Sequence, residues 1–235
     1  MDIRKADNPF CFVSCTELRQ IMGVRAYDEQ RLLEVIEEAP LDAIYYHTHS
    51  YFLRHEFFQG LYPNDFATWA AVYVQDAVLG ERLGVIDPFE FDDLESLRSE
   101  ITSIMADHLS GLKSIPRIVI DEPFEFIRSH IIETDLETEA WTLQEFRDCM
   151  RKVEAGAIYN HVCEARMRKG RLFGDFAMWI GADDGLRLPQ LGAQVATVGR
   201  RGLSLEGYRA EIIRLCEKAL TVEPKNGEGE DGRPS

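Results

Sequence analysis

The chain has 235 residues, 45% of them hydrophobic, and a formal net charge of −15. That length suits one large domain or two small ones, with apolar content sufficient for a real core. The negative charge excludes sequence-independent binding to nucleic acid, which needs Lys and Arg against phosphates, and equally an anionic membrane surface; it favours solubility and a basic partner.

Residues 1–8 read as a charged lead. MDIRKADNPF lacks the apolar core of a signal peptide. The cysteines are five, an odd number (Cys11, Cys15, Cys149, Cys163 and Cys216), which points to reduced thiols in a cytoplasm. No apolar run reaches the ~18 residues of a membrane span. Phe10-Cys11-Phe12-Val13 alternates, which suggests a short extended segment, and could equally be the start of a helix. Asp28 is a good N-cap, followed by the helical face Leu32, Leu33, Val35, Ile36. A second helix is expected over Asp42 to Phe58, a third from Asp65, and a fourth after Asp93. Residues 110–122, with Gly111 and Pro116, form a linker whose apolar part packs onto a neighbouring unit. Phe124-Glu125-Phe126-Ile127 alternates in the same way, with the same two readings. Thr142 to Glu145 is a capping box. Helices follow over Gly156 to Leu172, from Asp175, and after Ser204. The acidic end, 221–235, cannot bury anything and is expected to be disordered.

The second half of this series echoes the first. At a constant offset of 114, Pro9 to Val13 falls on Pro123 to Ile127, Ala43 to His47 on Ala157 to His161, and Arg54 on Arg168. After a short deletion, Asp65-Phe66-Ala67-Thr68-Trp69 falls on Asp175-Phe176-Ala177-Met178-Trp179. Such self-similarity is the mark of a repeat. The expected architecture is therefore mainly α: two tandem, pseudo-symmetric helical-bundle repeats over 9–109 and 123–220, each with a short extended N-terminal segment.

Motifs for nucleotide cradles, CxxC zinc sites and the GxSxG elbow are missing. Cys11 and Cys15 are separated by three residues, and no Glu precedes a His by three. The densest chemistry is Tyr45 to Glu56, which holds three of the six histidines. On one straight helix His47 and His49 point apart, and His47 and His55 are separated by roughly 12 Å along the axis. No metal and no cofactor is expected there; metal storage or sensing through His47, His49, His55 and the cysteines is a third, less favoured reading, and it would need ligands from other helices.

His47 recurs as His161, whereas His49 becomes Cys163 and His55 becomes Lys169. The recurring pair reads either as half-buried histidines bonded to a neighbouring helix or as an acid, base or ligand donor in each unit. Asp65 and Asp175 are either N-caps or carboxylates that orient the shared histidine. Arg54 and Arg168 are salt-bridge partners or an anion clamp. Tyr45 and Tyr159 are expected to pack with their hydroxyls at the rim, and Trp69 and Trp179 to anchor cores. Arg200-Arg201 is a small basic turn. The candidate ligand-binding set is thus His47, Asp65, Arg54 and Tyr45 with His161, Asp175, Arg168 and Tyr159.

The pattern Ile44 to His49, Asn64 to Trp69 and Leu83 to Pro88 resembles the domain of unknown function 5752 family, over nearly all of the first half. The second half resembles it less, lacking Tyr46, His49 and the Asp87-Pro88 turn. The resemblance implies a prokaryotic cytoplasmic protein and brings no activity or catalytic residues. The expected function is a non-enzymatic interaction or regulatory module with a protein partner; a homo-oligomer is compatible with it, and nucleic acid and membrane are not. The competing reading is a small-ligand binder or enzyme built on His47, Asp65 and Arg54.

Overall fold

The computed structural model describes residues 5–55, 57, 60–166, 174–198 and 203–222. Its spine is a two-stranded antiparallel ribbon of β1 (Lys5–Ala26) and β2 (Phe124–Thr142), 22 and 19 residues long. Phe10 lies opposite Ala140, Leu18 opposite His130, and Ala26 opposite Phe124, with register shifts at Phe12/Val13 and Ile21/Arg25. At ~3.3 Å per residue the ribbon is on the order of 60 Å long. A lone two-stranded ribbon is marginal in water, so its stability must come from what packs on its ends.

Two sets of helices do that. The first comprises α1 (Glu29–Glu38), α2 (Leu41–Thr48), α3 (Tyr51–Arg54), α4 (Asp65–Trp69) running into a π turn (Ala70–Val74), α5 (Ala77–Gly84) and α6 (Leu94–Ser110). The second comprises α7 (Leu143–Met150), α8 (Ala155–Tyr159) running into a π turn (Asn160–Glu164), α9 (Gly174–Gly181), α10 (Pro189–Val198) and α11 (Leu205–Val222). The strands cross between them. Phe124 and Phe126, from the start of β2, fill the core of the first set beside Leu32, Ile36, Ile44, Phe66 and Leu97. Phe10, Phe12 and Cys15, from β1, fill the core of the second set beside Phe146, Ile158, Tyr159, Phe176 and Tyr208. Each extended segment is thus buried among helices from the other half of the chain.

The expectation of a mainly α chain, two tandem helical-bundle repeats with short extended leads, is overturned by these strands. The fold is mixed α and β. The physical reason lies in the middle of the ribbon, where neither face is fully buried. Strict apolar/polar alternation needs one dry face. Arg19, Gln20, Glu133, Thr134 and Asp135 are all exposed, so only the buried ends, Phe10/Phe12 and Phe124/Phe126, carry a readable pattern. Lys5 to Asn8, expected as a lead, belong to β1.

The helix starts agree with the caps read from sequence. Arg31 N–H donates to Asp28 Oδ1 at 2.8 Å, and Ser96 N–H to Asp93 Oδ1 at 2.7 Å. Glu145 N–H donates to Thr142 Oγ1 at 3.1 Å, while Glu145 reaches back to Trp141 N–H at 2.8 Å. Gly207 N–H donates to Ser204 Oγ at 3.2 Å. The two aromatic helices start differently: α9 begins at Gly174, with Asp175 inside its first turn, and the cap of α4 is Asn64, which accepts from Ala67 N–H at 2.8 Å, so the carboxylate of Asp65 is released for other work. The helix expected over Asp42 to Phe58 breaks after Thr48, where Ser50 N–H reaches Tyr45 O at 3.1 Å. Its counterpart over Gly156 to Leu172 loosens into the π turn, and its last residues, Arg168 included, lie outside the described residues, as do Arg200-Arg201 and the tail from 223. In the linker Ile118 packs on the first core, whereas Ile115, Val119 and Ile120 are exposed. The two tryptophans tie helices to the segments that precede the strands' buried ends: Trp69 Nε1–H donates to Glu122 O at 3.3 Å, and Trp179 Nε1–H to Asn8 O at 2.9 Å.

Candidate functional site

His47 sits near the end of α2 with its ring sealed by Phe66, Phe124 and Phe126, at centroid distances of 5.4, 4.6 and 5.8 Å. Its Nε2 accepts a hydrogen bond from the backbone N–H of Ile127 in β2 at 3.1 Å. An accepting nitrogen carries no proton, so the proton is on Nδ1, which donates to Asp65 Oδ2 at 2.8 Å. Arg54 Nη2 donates to the same oxygen at 2.8 Å and to Tyr46 O at 3.0 Å, and its guanidinium lies 4.1 Å from the centroid of the Tyr46 ring. Burial lowers the pKa of His47 by more than Asp65 raises it, so the ring is neutral. Burial alone would raise the Asp65 carboxyl, but the His47 hydrogen bond and the charge of Arg54 outweigh it and hold it below the usual carboxylate range. Arg54 therefore balances Asp65, and little of its charge is left to clamp an anion.

The same arrangement closes the other end of the ribbon. His161 Nδ1 donates to Asp175 Oδ2 at 2.9 Å, and Val13 N–H of β1 donates to Nε2 at 2.9 Å. Asn160 Nδ2 adds a bond to Val13 O at 3.2 Å. Phe10, Phe12 and Phe176 enclose the ring. Two glycines permit this approach. At Gly156 a Cβ would lie 2.6 Å from Cys15 O, so only glycine lets α8 press onto β1. At Gly174 the backbone has φ of +68° and a Cβ would lie 2.9 Å from His161 O, just before Asp175.

The structure thus joins His47 with Asp65 and Arg54, and His161 with Asp175. It brings Tyr45 and Tyr159 together as well, but not at a rim: their hydroxyls meet each other at 2.5 Å where the two helix sets touch. Beside them His49 is fully buried, stacked on Tyr45 at 5.3 Å and edge-on to Phe89 at 5.0 Å. Burial, with Arg166 acting in the same sense, pushes its pKa down to about 3. Burial likewise pushes the Cys163 thiol far up, which makes it an inert thiol.

In chemical terms these histidines are clasps. In His47 and His161 both ring nitrogens are engaged, one by a carboxylate and one by a strand N–H, and both residues are buried. Reading the sequence missed a different cluster, Glu29, Asp76 and His108, whose ligand atoms lie within 4.8 Å of one another. Each looks like an ordinary helix-terminal residue in the chain, and only the packing of α1, α5 and α6 unites them.

Among described residues no helix is long and apolar enough to cross a membrane. No curated protein matches the chain. The structure of OrfY from Thermoproteus tenax is similar, with a TM-score of 0.71 and 24% identity over 94% of this chain and 100% of that one, a likeness that speaks for the fold alone. The model of a family of unknown function, DUF5752, matches residues 7–217, and the chain belongs to that family.

Proposed function

We propose that this protein is a non-enzymatic, cytoplasmic interaction or regulatory module that uses the open middle of its ribbon to hold a protein partner. The observation that carries this reading is the full engagement of both shared histidines, which spends the best acid/base candidates on architecture. The competing ligand-binding or catalytic reading at His47, Asp65 and Arg54 would need one of those bonds to open. Between the clasps, Thr16 lies opposite Ile132 and Leu18 opposite His130 on one ribbon face, with Leu18 and Ile132 exposed. Apolar side chains on a ribbon that ends in two rigid anchors offer a fixed docking strip, and the net charge of −15 favours a basic rim on the partner.

Affinity capture from the native host should recover a stoichiometric partner with the wild-type chain. The Leu18→Glu/Ile132→Glu variant, with an unchanged circular dichroism spectrum, should lose it. Retention by that variant, or no stoichiometric partner at all, would refute the strip as the docking site.

We also read the chain as two tandem copies of one unit. In support, the spacing from His47 to His161 equals that from Val13 to Ile127, the N–H groups they accept from in crossed order. Arg98 donates to Glu37 O and Ala39 O, and Arg209 to Met150 O and Val153 O, in corresponding helices. This reading requires similar losses of stability from His47→Ala and His161→Ala.

A further inference from the structure

We propose that Glu29, Asp76 and His108 form a binding site for one divalent first-row transition-metal cation, distinct from the histidine clasps. Three elements supply one donor each. Glu29 is the first residue of α1, and its side chain turns inward to complete burial. Asp76 caps α5, accepting from Leu79 N–H at 2.9 Å through Oδ1, which leaves Oδ2 facing His108. His108 lies in the last turn of α6 and places Nε2 2.8 Å from Asp76 Oδ2 and 3.9 Å from Glu29 Oε2.

The independent sign is Glu29 itself. Among the described residues neither of its carboxylate oxygens has a hydrogen-bond partner, although both are buried. A buried carboxylate without a donor is strongly disfavoured unless a cation, or a proton in its place, neutralises it. One imidazole nitrogen and two carboxylate oxygens are a donor set for zinc and its neighbours, and two carboxylates balance a divalent ion. Metal–donor bonds near ~2.1 Å allow donors up to about 4.2 Å apart, so a cluster within 4.8 Å closes with small side-chain movements. The other half of the chain shows that the helices do not need these groups in order to pack. Leu143, the first residue of α7, stands where α1 has Glu29. Ala219 follows the start of α11 by the same 14 residues that separate His108 from the start of α6. Both pack into the second core.

The test uses the full chain, purified without a tag and stripped with EDTA, titrated with Zn2+ by calorimetry. One saturable site and a rise in melting temperature are expected. Glu29→Gln and Asp76→Asn keep the side-chain shape, and Asn still caps a helix. Each should weaken binding roughly tenfold or more while leaving the circular dichroism spectrum unchanged. Absence of a saturable site would overturn the proposal. So would affinity unchanged in either variant, which would place the metal on the thiols or other histidines.

Discussion

Two buried histidine–carboxylate groups lie in the first helix set, and they differ in one respect. At His47 every ring nitrogen has a partner, and the strand N–H, the imidazole, Asp65 and Arg54 form a closed chain of bonds. At His108 the chain stays open, because the nearby Glu29 oxygens accept no hydrogen bond among the described residues. A closed network in a low-dielectric interior stiffens and specifies a fold. An open one holds back interaction energy that only another species can realise. The contrast teaches that a histidine beside an aspartate is not by itself a functional site; whether its neighbours are satisfied is what separates a clasp from a receptor.

The largest expected effect comes from breaking a clasp. His47→Ala removes a ring packed against three phenylalanines and orphans the Ile127 N–H, so a loss of about 3–5 kcal/mol is expected in urea unfolding. His161→Ala should fall within about 1 kcal/mol of it, since additivity errors alone are about half that. A loss under 1 kcal/mol at either site would show that the strand is held by its phenylalanines alone and that the closed network is incidental.

Acid probes the same region less severely. His49, next to the Tyr45–Tyr159 contact, has its folded pKa lowered to about 3. Its unfolded value is near ~6.5. Above that value neither state binds the proton and stability is flat. As pH falls below it, the unfolded chain takes up a proton that the folded chain refuses, so stability declines until the folded group also titrates. The expected loss is about 1.5 kcal/mol between pH 6.5 and pH 5 from this residue, and His47, whose pKa is also lowered, acts in the same direction. His49→Cys copies Cys163, the residue 114 positions later, and should remove the His49 share of that slope. An unchanged slope in paired urea titrations at the two pH values would mean that water already reaches the ring.

What the sequence made legible follows the same division. The His–Asp pairs and the caps at Asp28, Asp93, Thr142 and Ser204 were readable because their chemistry is local or recurs in the same order in both halves of the chain. The ribbon was not, because a strand fully buried on neither face has no clear period to read, and Glu17 to Gln20 or Glu133 to Asp135 look like solvated loop. The crossing of the strands was hidden for another reason: Phe10 and Phe12 advertise burial without saying among which helices. Asp65 was readable as a helix-start residue, yet Asn64 takes the cap, and one residue of displacement turns a backbone cap into the His47 partner. Glu29, Asp76 and His108 were hidden most deeply, since positions far apart in the chain meet only through the packing of three helices.

The smallest effect is the one that separates the two regions most cleanly. In metal-free protein Glu29→Gln replaces a buried acid whose oxygens lack hydrogen-bond partners and which must take up a proton to stay buried, so it should stabilise the chain by about 1 kcal/mol. The same isosteric change at the other site, Asp65→Asn, removes the charge that Arg54 and His47 both use and must destabilise. Saturating Zn2+ should reverse the order at the first site, because a ligand that binds only the folded state stabilises the wild type by more than it stabilises the weaker-binding variant. Thermal melts of wild type and Glu29→Gln, with EDTA and with Zn2+, give four numbers that decide the matter. If Glu29→Gln is destabilising in EDTA, Glu29 is already satisfied within the fold, and the two histidine–carboxylate groups are of one kind after all.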